Sequence, residues 1–351
     1  MQEKSMIDRQ NHVLVALSGG VDSSIAAVLL KEAGYAVEGA IMVFEGVRKE
    51  NIDLAARVAQ QLDIPFHRVD LEEEFNELIV GSFSAEYGRG RTPNPCVLCN
   101  TIMKFDLLPK KAGVKTGKVA TGHYARIERD RGRYILRQGK DKNEQSYFLY
   151  RLNQEQLAKT ILPLGYHTKD QVRRIAKKRG LETAMRKKSQ DACFIPDGDY
   201  TAFLKKIVPQ KTGPVIDNEG RVVGQHKGII HYTIGQRHGL GISHKHPYYV
   251  SCIDAASNTI QVSPRKDVYR RSLIASDLNY IPFDTLEHSL EVTAKVRYFS
   301  PASAARVQPL DENTAKVTFK TPQWAITPGQ SVVFYQGDLV IGGGIIDMVV
   351  D

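Results

Sequence analysis

Two hydrophobic rhythms divide this chain. Toward its start, short unbroken apolar runs alternate with segments of helical period. Val13-Leu14-Val15-Ala16-Leu17 ends in Ser18-Gly19-Gly20, and Ser23-Ser24-Ile25-Ala26-Ala27-Val28-Leu29-Leu30-Lys31 takes up a helical rhythm at once. The run predicts a buried parallel strand, and the period after it predicts a helix starting at the glycine turn. YAVEGAIMVF (35–44) predicts a second strand, and NIDLAARVAQQLDI (51–64) an amphipathic helix stopped by Pro65. FHRVDL (66–71) predicts a third strand, followed by the helical LEEEFNELIVGSFSAEY, and KVATGHYARI (118–127) predicts a fourth. Strands alternating with helices predict an α/β fold with a doubly wound parallel sheet, binding ligands at the carboxyl ends of its strands. Gly19, Gly20, Met42 and Gly122-His123 fall at or just past those ends, so three segments should converge on one crevice.

From about Ser146 to Lys206 the pattern turns helical and basic. TKDQVRRIAKKRGL (168–181) places Val172, Ile175, Ala176 and Leu181 on one face, with Lys169, Arg173, Arg174, Lys177 and Lys178 elsewhere; Arg186-Lys187-Lys188 follows. A solvated helix face and a nucleic-acid contact both fit such a run. After Gly213 the rhythm becomes two-fold. GPVIDNEGRVVG (213–224) and YYVSCIDAASNTIQVSP (248–264) predict hairpins. From Leu290, the segments LEVTAKVRYF, AARVQPL, AKVTFK, SVVFYQ and VIGGGIID predict a small antiparallel β-barrel. The expected division is a catalytic domain with a basic helical part over 1–206, a small central domain over 207–272 and a C-terminal barrel over 273–351.

Composition narrows the class. A chain of 351 residues can bury the cores of two or three domains. No apolar run reaches the roughly 18 residues of a membrane span, so no membrane partner is expected. MQEKSMIDRQNH has no apolar signal core and predicts neither a secretory nor a transit peptide. Lys and Arg total 48 against 39 Asp and Glu, an excess of 9 that suits a polyanionic partner. The four cysteines, Cys96, Cys99, Cys193 and Cys252, are too few for a disulfide framework and point to a reducing cytoplasm.

The candidate chemistry lies in loops. A strand that empties through glycines into a helix N-terminus offers free N–H groups and a positive dipole end to phosphate. No Gly-Lys-Ser/Thr follows, so this is not a Walker loop and supplies no lysine of its own. TPNPCVLCN (92–100) presents Cys96 and Cys99 just before a basic apolar helix. A Cys-x-x-Cys suits a zinc half-site, a redox pair, cluster ligands or a nucleophile, and no second such motif exists to complete a zinc site. Cys193 sits among polar residues in SQDACFIPDGDY (189–200). Cys252, in the alternating YYVSCID, is expected to be an unreactive, half-buried strand cysteine.

SGGVDS (18–23) resembles the pyrophosphate loop of enzymes that split ATP into AMP and pyrophosphate. With TPNPCVLCN, TGHYAR, EQSYFLY, SQDACFIPDGDY, HKGIIHYTIGQRHGLGI, VRYFSP and PGQSVVFYQGDLVIGGGII in that order, the chain resembles the tRNA-specific 2-thiouridylases over almost its whole length. The resemblance implies an adenine nucleotide alpha hydrolase-like domain, a central domain and a C-terminal barrel, acting on tRNA. It implies ATP at Ala16, Leu17, Ser18, Gly19, Gly20, Val21, Asp22, Ser23, Met42 and Gly122, with Asp22 helping to hold magnesium. It assigns Cys99 the work beside the target base and Cys193 a persulfide received from a donor protein, a cysteine desulfurase or a relay. It further implies tRNA contacts at Asn94, Pro95 and Cys96, at His123, at Asn143, Glu144 and Gln145, and at Arg297, Tyr298 and Gln330. For His123 and Tyr298 the alternative is domain packing; for Arg297 and Gln330 it is a solvated surface position. The expected substrate is the wobble uridine of lysine, glutamate and glutamine tRNAs.

Two positions depart from the family's pattern. Many members carry Asp where this chain has Cys96, and position 143, often basic, is Asn here. Cys96 leaves two routes open: a persulfide on Cys193, or a [4Fe–4S] cluster on Cys96, Cys99 and Cys193 with one open iron. Two rivals remain beside the resemblance. One is another synthetase with the same loop, such as argininosuccinate synthase or tRNA lysidine synthetase. The other is a basic RNA-binding protein without ATP chemistry.

Overall fold

The computed structural model describes residues 11–114, 117–185, 193–195, 198–242 and 245–350. Arg186-Lys187-Lys188, Ser189 to Ala192 and Pro196-Asp197 lie outside the described residues. The chain forms two compact units, the first of residues 1–77, 96–194 and 338–340, the second of 78–95, 195–337 and 341–351.

The first unit is built on five parallel strands in the order β3-β2-β1-β4-β7. These are β1 (His12–Ala16), β2 (Ala36–Val43), β3 (Phe66–Asp70), β4 (Lys118–Ala120) and β7 (Thr160–Ile161). Their order reverses direction at β1, the switch point at which such sheets open a crevice. Helix α1 (Val21–Glu32) follows β1 directly, and α2 (Lys49–Gln61) follows β2. One side of α1, with Ala26, Ala27 and Leu30, packs with Val13, Val15 and Ile41 of the sheet and with Ile52, Ala55 and Ala59 of α2. Its other side, with Val21, Ile25 and Val28, meets Val172 and Ala176 of α3 (Lys169–Lys178). Helix α1 is therefore buried along almost its whole length. Each Val, Leu or Ile among these contributes about 1.5–3 kcal/mol when fully buried, and each Ala less.

Two expectations for this unit need correction. The segment 118–127 is not one strand: β4 ends at Ala120, and β5 (Ala125–Asp130) pairs antiparallel with β6 (Arg133–Gln138). The break falls at Gly122, which lies against the first turn of α1. A Cβ there would stand 2.6 Å from the Asp22 carbonyl carbon and 2.7 Å from the Ser23 nitrogen. The stretch expected to be helical after Ser146 also contains β7, whose two residues pair with Val119 and Ala120 and are too short to show any period.

In the second unit, β8 (Gly213–Ile216) and β9 (Val222–His226) form one hairpin, and β10 (Tyr248–Asp254) and β11 (Thr259–Pro264) another. They join through a parallel β11–β8 pairing into a sheet ordered β10-β11-β8-β9. A six-stranded antiparallel barrel follows. It runs β12 (Tyr269–Tyr280), β15 (Ala315–Trp324), β14 (Ser303–Pro309), β13 (Leu290–Lys295), β16 (Ser331–Gln336), β17 (Leu339–Val350), and closes by β12–β17 pairs from Ser272–Val350 to Tyr280–Gly342. Closure removes the exposed edges that an open sheet would carry. β12 begins at Tyr269, with the polar opening Tyr-Arg-Arg-Ser. Residues 195–206 group with the second unit, where the Tyr87 and Tyr200 rings pack 5.3 Å apart. Cys252 is exposed rather than half-buried, since the register of β10 slips between Val250 and Cys252 at a bulge.

Gly122→Ala should lower the unfolding free energy by about 1–3 kcal/mol, because its Cβ meets backbone rather than a flexible side chain. Urea titration of the two proteins measures the difference.

Candidate active site

The glycine loop is organised by its own serines. The Ser18 N–H donates to Ser23 Oγ at 3.1 Å, and Ser23 Oγ donates to the Gly20 carbonyl at 3.1 Å. Ser24 Oγ reaches the same carbonyl at 2.9 Å. Gly20 caps α1 without a side-chain bond, which leaves the first turn's N–H groups to water or an anion. Gly19 turns at φ +68°, with Asn51 backbone against it. The Asn51 Oδ1 is buried and has no hydrogen-bond partner. An orphaned acceptor beside an anion loop fits a ligand that brings both phosphate and a donor, as a nucleotide's ribose hydroxyls and adenine amino group do. Met42 lies near the carboxyl end of β2, and Gly122 backs the loop.

Asp22 is the most engaged residue of the loop. Lys169 Nζ donates to both of its oxygens, at 2.6 and 2.5 Å, and Tyr124 OH donates to Oδ1 at 2.7 Å. Its carboxylate is thus a cation-binding group at the helix start, which suits magnesium in exchange for the ammonium. Burial raises the Tyr124 hydroxyl far above its ordinary range, and the Asp22 charge adds to the effect. The phenol therefore stays protonated and remains a donor.

The three other chemical groups come from one helix and one loop. A short helix, Pro95–Leu98, runs into a π-helical segment, Cys99–Leu107, so Cys96, Cys99 and Lys104 share one continuous rod. Cys193 is brought in by its neighbour. Phe194 is buried and meets the Phe75 ring edge-on at 5.6 Å, and its backbone lies on Gly46, where φ is +97° and a Cβ would approach to 2.9 Å.

Cys99 is buried, whereas Cys96 and Cys193 keep solvent access. Desolvation raises all three thiols above the ordinary range. Cys99 is pushed up to about 12 by burial, against the pull of Lys104 and with Cys193 and Cys96 adding to the rise. Lys104 acts on every one of these thiols. Its Nζ is held by Asn100 Oδ1 at 2.9 Å, and Asn100 Nδ2 is itself tied to the Phe148 carbonyl at 3.0 Å. His123 shares this surrounding: burial, then Lys104, holds it down to about 3, and its Nδ1 lies 2.7 Å from Thr121 Oγ1. At neutral pH the free protein therefore holds protonated thiols and an uncharged imidazole. Among the described residues, no three His, Cys, Asp or Glu side chains converge as metal ligands, so this arrangement does not fit a cluster as it stands.

Comparison with known proteins places this geometry. A family profile described as "tRNA methyl transferase HUP domain" matches residues 11–197, one described as "tRNA methyl transferase PRC-barrel domain" matches 201–264, and one described as "Aminomethyltransferase beta-barrel domain" matches 270–346. The tRNA-specific 2-thiouridylase MnmA of Clostridium perfringens is 45% identical over 95% of this chain and 98% of its own length. That of Clostridium acetobutylicum is 45% identical over 95% and 99%, and that of Halothermothrix orenii 45% over 96% and 99%. The chain belongs to the tRNA-specific 2-thiouridylase family.

Positions that the family resemblance assigns to tRNA fall in both units. In the first, Asn143 N and Nδ2 donate to Asp141 Oδ1 at 2.7 and 2.8 Å, and Glu144 Oε2 accepts from Ser146 N at 2.9 Å. Gln145 exchanges bonds with Tyr124, its N–H donating to the Tyr124 carbonyl at 2.8 Å and its Oε1 accepting from Tyr124 N at 3.2 Å. In the second unit, Gln330 Nε2 donates to the Thr92 carbonyl at 2.7 Å, fixing the loop that carries Asn94 and Pro95. Arg297 Nη2 donates to the Ile234 carbonyl at 3.0 Å and to Thr327 Oγ1. Neither Gln330 nor Arg297 is a solvated surface residue. Tyr298 packs on Phe299 with centroids 4.7 Å apart, and Phe299 is 88% exposed. Sequence analysis missed Lys169, Lys104, Tyr124 and Asn51 in this thiouridylase-family chain. Only Lys169 had a signal: Thr168 and Gln171 form a capping box, which places it on the first position of α3.

The depressed His123 makes a signed prediction. As pH falls from 6.5 toward about 3, the unfolded chain takes up a proton that the folded histidine refuses, so stability is lost across that window. His123→Gln should flatten this loss. Urea midpoints at pH values inside and above the window would show it, and an unchanged slope would contradict the burial argument.

Proposed function

We propose that this chain transfers sulfur to C2 of a uridine in tRNA, consuming ATP. The observation that supports it most is one unit holding both an anion loop of the pyrophosphate type and Cys99 and Cys193 in reach of one lysine charge. The uridine C2 oxygen is a poor leaving group, and transfer of AMP onto it, with pyrophosphate released toward the Ser18–Ser23 loop, makes it a good one. Ala16 to Ser23, Met42 and Gly122 would line the nucleotide, and Asn51 Oδ1 would take one of its donors. Magnesium, held by Asp22, would offset charge on the departing pyrophosphate.

A persulfide on Cys193, delivered by a cysteine desulfurase or a relay protein, then supplies the sulfur. Its terminal sulfur attacks C2, and AMP leaves with the C–O bond pair. Cys99 attacks the Cys193 sulfur next, freeing the thiolated base and leaving a Cys99–Cys193 disulfide that an external thiol must reduce. Cys99 starts as a protonated thiol, so it needs deprotonation at this step, which the Lys104 charge favours. The target base must leave its stack to expose C2, which suits a single-stranded anticodon loop and the wobble uridine of lysine, glutamate and glutamine tRNAs. Asn94, Pro95, Cys96, His123, Asn143, Glu144, Gln145, Arg297, Tyr298 and Gln330 are the proposed tRNA positions. The exposed Arg173, Arg174, Lys177 and Lys178 are suited to phosphate. The setting is the cytoplasm, with the three segments 1–206, 207–272 and 273–351 acting on one tRNA.

Tests follow the chemistry. ATP and tRNA should yield AMP and pyrophosphate; ADP and phosphate would refute the loop assignment. Cys99→Ser and Cys193→Ser should each abolish 2-thiouridine seen by nucleoside mass spectrometry, while Cys252→Ser should retain it. Cys96→Asp should stay active after anaerobic purification; loss of both iron and activity in that variant would favour the cluster route instead.

A further inference from the structure

Cys193 is exposed while the residue after it is buried, and nothing in the chemistry above uses that contrast. Phe194 is 4% exposed, and its ring meets the Phe75 ring edge-on, with centroids 5.6 Å apart. Phe75 opens the π-helical segment Phe75–Gly81 and is itself stacked on Phe44, at 3.7 Å between centroids and 4° between planes. Phe44 follows β2 at once and begins a turn, its carbonyl accepting from the Val47 N–H at 3.1 Å. Gly46 takes the third position of that turn, where a φ of +97° suits glycine. Its missing side chain makes room for the Phe194 backbone: a Cβ would stand 2.9 Å from the Phe194 Cα and 3.0 Å from its carbonyl oxygen. Ring and backbone of Phe194 are thus held separately, the first by an aromatic pair and the second by a glycine turn. Consecutive Cα atoms lie about 3.8 Å apart, so a Phe194 fixed this way confines the Cys193 thiol to a short arc.

We propose that Phe194 is the positioning residue of Cys193: seated on Phe75 and Gly46, it keeps the Cys193 sulfur where Cys99 can reach it. This rests on the sulfur-transfer reading above, in which Cys99 attacks the Cys193 sulfur. Cys99 is buried in the helical rod, so the approach has to be set from the Cys193 side. The two tasks of Cys193 make opposite demands. Loading by a donor protein requires exposure, which the thiol has; meeting a buried thiol requires a fixed pivot, which Phe194 supplies one residue away. Holding two reacting groups in register raises their effective concentration far above that of free thiols. Phe194 touches no reacting atom, and its whole effect passes through the place it gives to Cys193.

A phenylalanine that merely fills the core would look the same at rest, so the test reads the reach of Cys193. A Cys96→Ser, Cys252→Ser background leaves Cys99 and Cys193 as the only thiols. One equivalent of dithiobis(nitrobenzoate) is added. The Cys193 thiolate attacks the reagent and one thionitrobenzoate leaves. Cys99 then attacks the Cys193 sulfur, a second thionitrobenzoate leaves with the S–S bond pair, and a Cys99–Cys193 disulfide and a proton remain. Stopped-flow absorbance separates the two releases, and peptide mass spectrometry identifies the disulfide. Phe194→Ala should keep the first release within about twofold of the background protein and slow the second roughly tenfold or more. Phe194→Leu, which refills part of the space, should recover part of that rate. Should Phe194→Ala fold poorly by near-ultraviolet circular dichroism, Gly46→Ala serves instead: it keeps the ring, displaces the Phe194 backbone and should slow the second release in the same way. An unchanged second release in Phe194→Ala, or in Gly46→Ala where that variant decides, overturns the proposal. Absence of any second release in the background protein itself would count against the Cys99–Cys193 reading instead.

Discussion

The first turn of α1 is the constraint on which the rest of the first unit depends. It is approached by Gly122, by the Asn51 backbone at Gly19, and by Tyr124 and Lys169 on Asp22. These approaches come from three segments far apart in the chain, and the helix itself is buried between α2 and α3. A helix start held this way cannot drift, so its unsatisfied N–H groups point in fixed directions. Anion binding then costs little reorganisation. The same crowding explains why the chain leaves the sheet after Ala120: a side chain at position 122 would strike backbone that has nowhere to go.

Electrostatics divides this unit into two settings. At the loop, a carboxylate is satisfied by an ammonium and a phenol, and no group there is left charged without a partner. At the thiols, burial outweighs the Lys104 charge that opposes it, so Cys99 rests as a thiol. A resting thiol resists oxidation, which matters where Cys96, Cys99 and Cys193 lie within range of one another's charge. The position of Lys104 is set by Asn100, whose other end is taken by a backbone carbonyl.

Much of this was legible in the chain. The apolar run into Ser18-Gly19-Gly20, the amphipathic period of α2 and α3, and the alternating barrel strands are local patterns, and local patterns survive folding. What stayed hidden depends on distance. Lys169 reads as one more polar residue on a basic helix because its partner lies 147 residues upstream. Tyr124-Ala125-Arg126-Ile127 follows Gly122-His123 with strand-like residues of its own, so the change of sheet reads as one strand continuing. Arg297 reads as a solvated cation, yet its guanidinium serves backbone carbonyls that only the tertiary fold brings to it.

Tyr124 carries the furthest consequence of the fold. Its hydroxyl donates to Asp22, while its backbone N–H and carbonyl are both taken by Gln145. The side chain is 3% exposed and packs with Val21, Ile25 and Leu164, so the ring has no room to swing between partners. Hydrogen bonds to this one buried residue therefore link Gln145 with the Asp22 oxygen. Burial keeps the phenol protonated and so a donor to Asp22. The segment proposed to meet tRNA and the carboxylate proposed to hold magnesium are thus joined through one side chain, by contacts too short to absorb much motion.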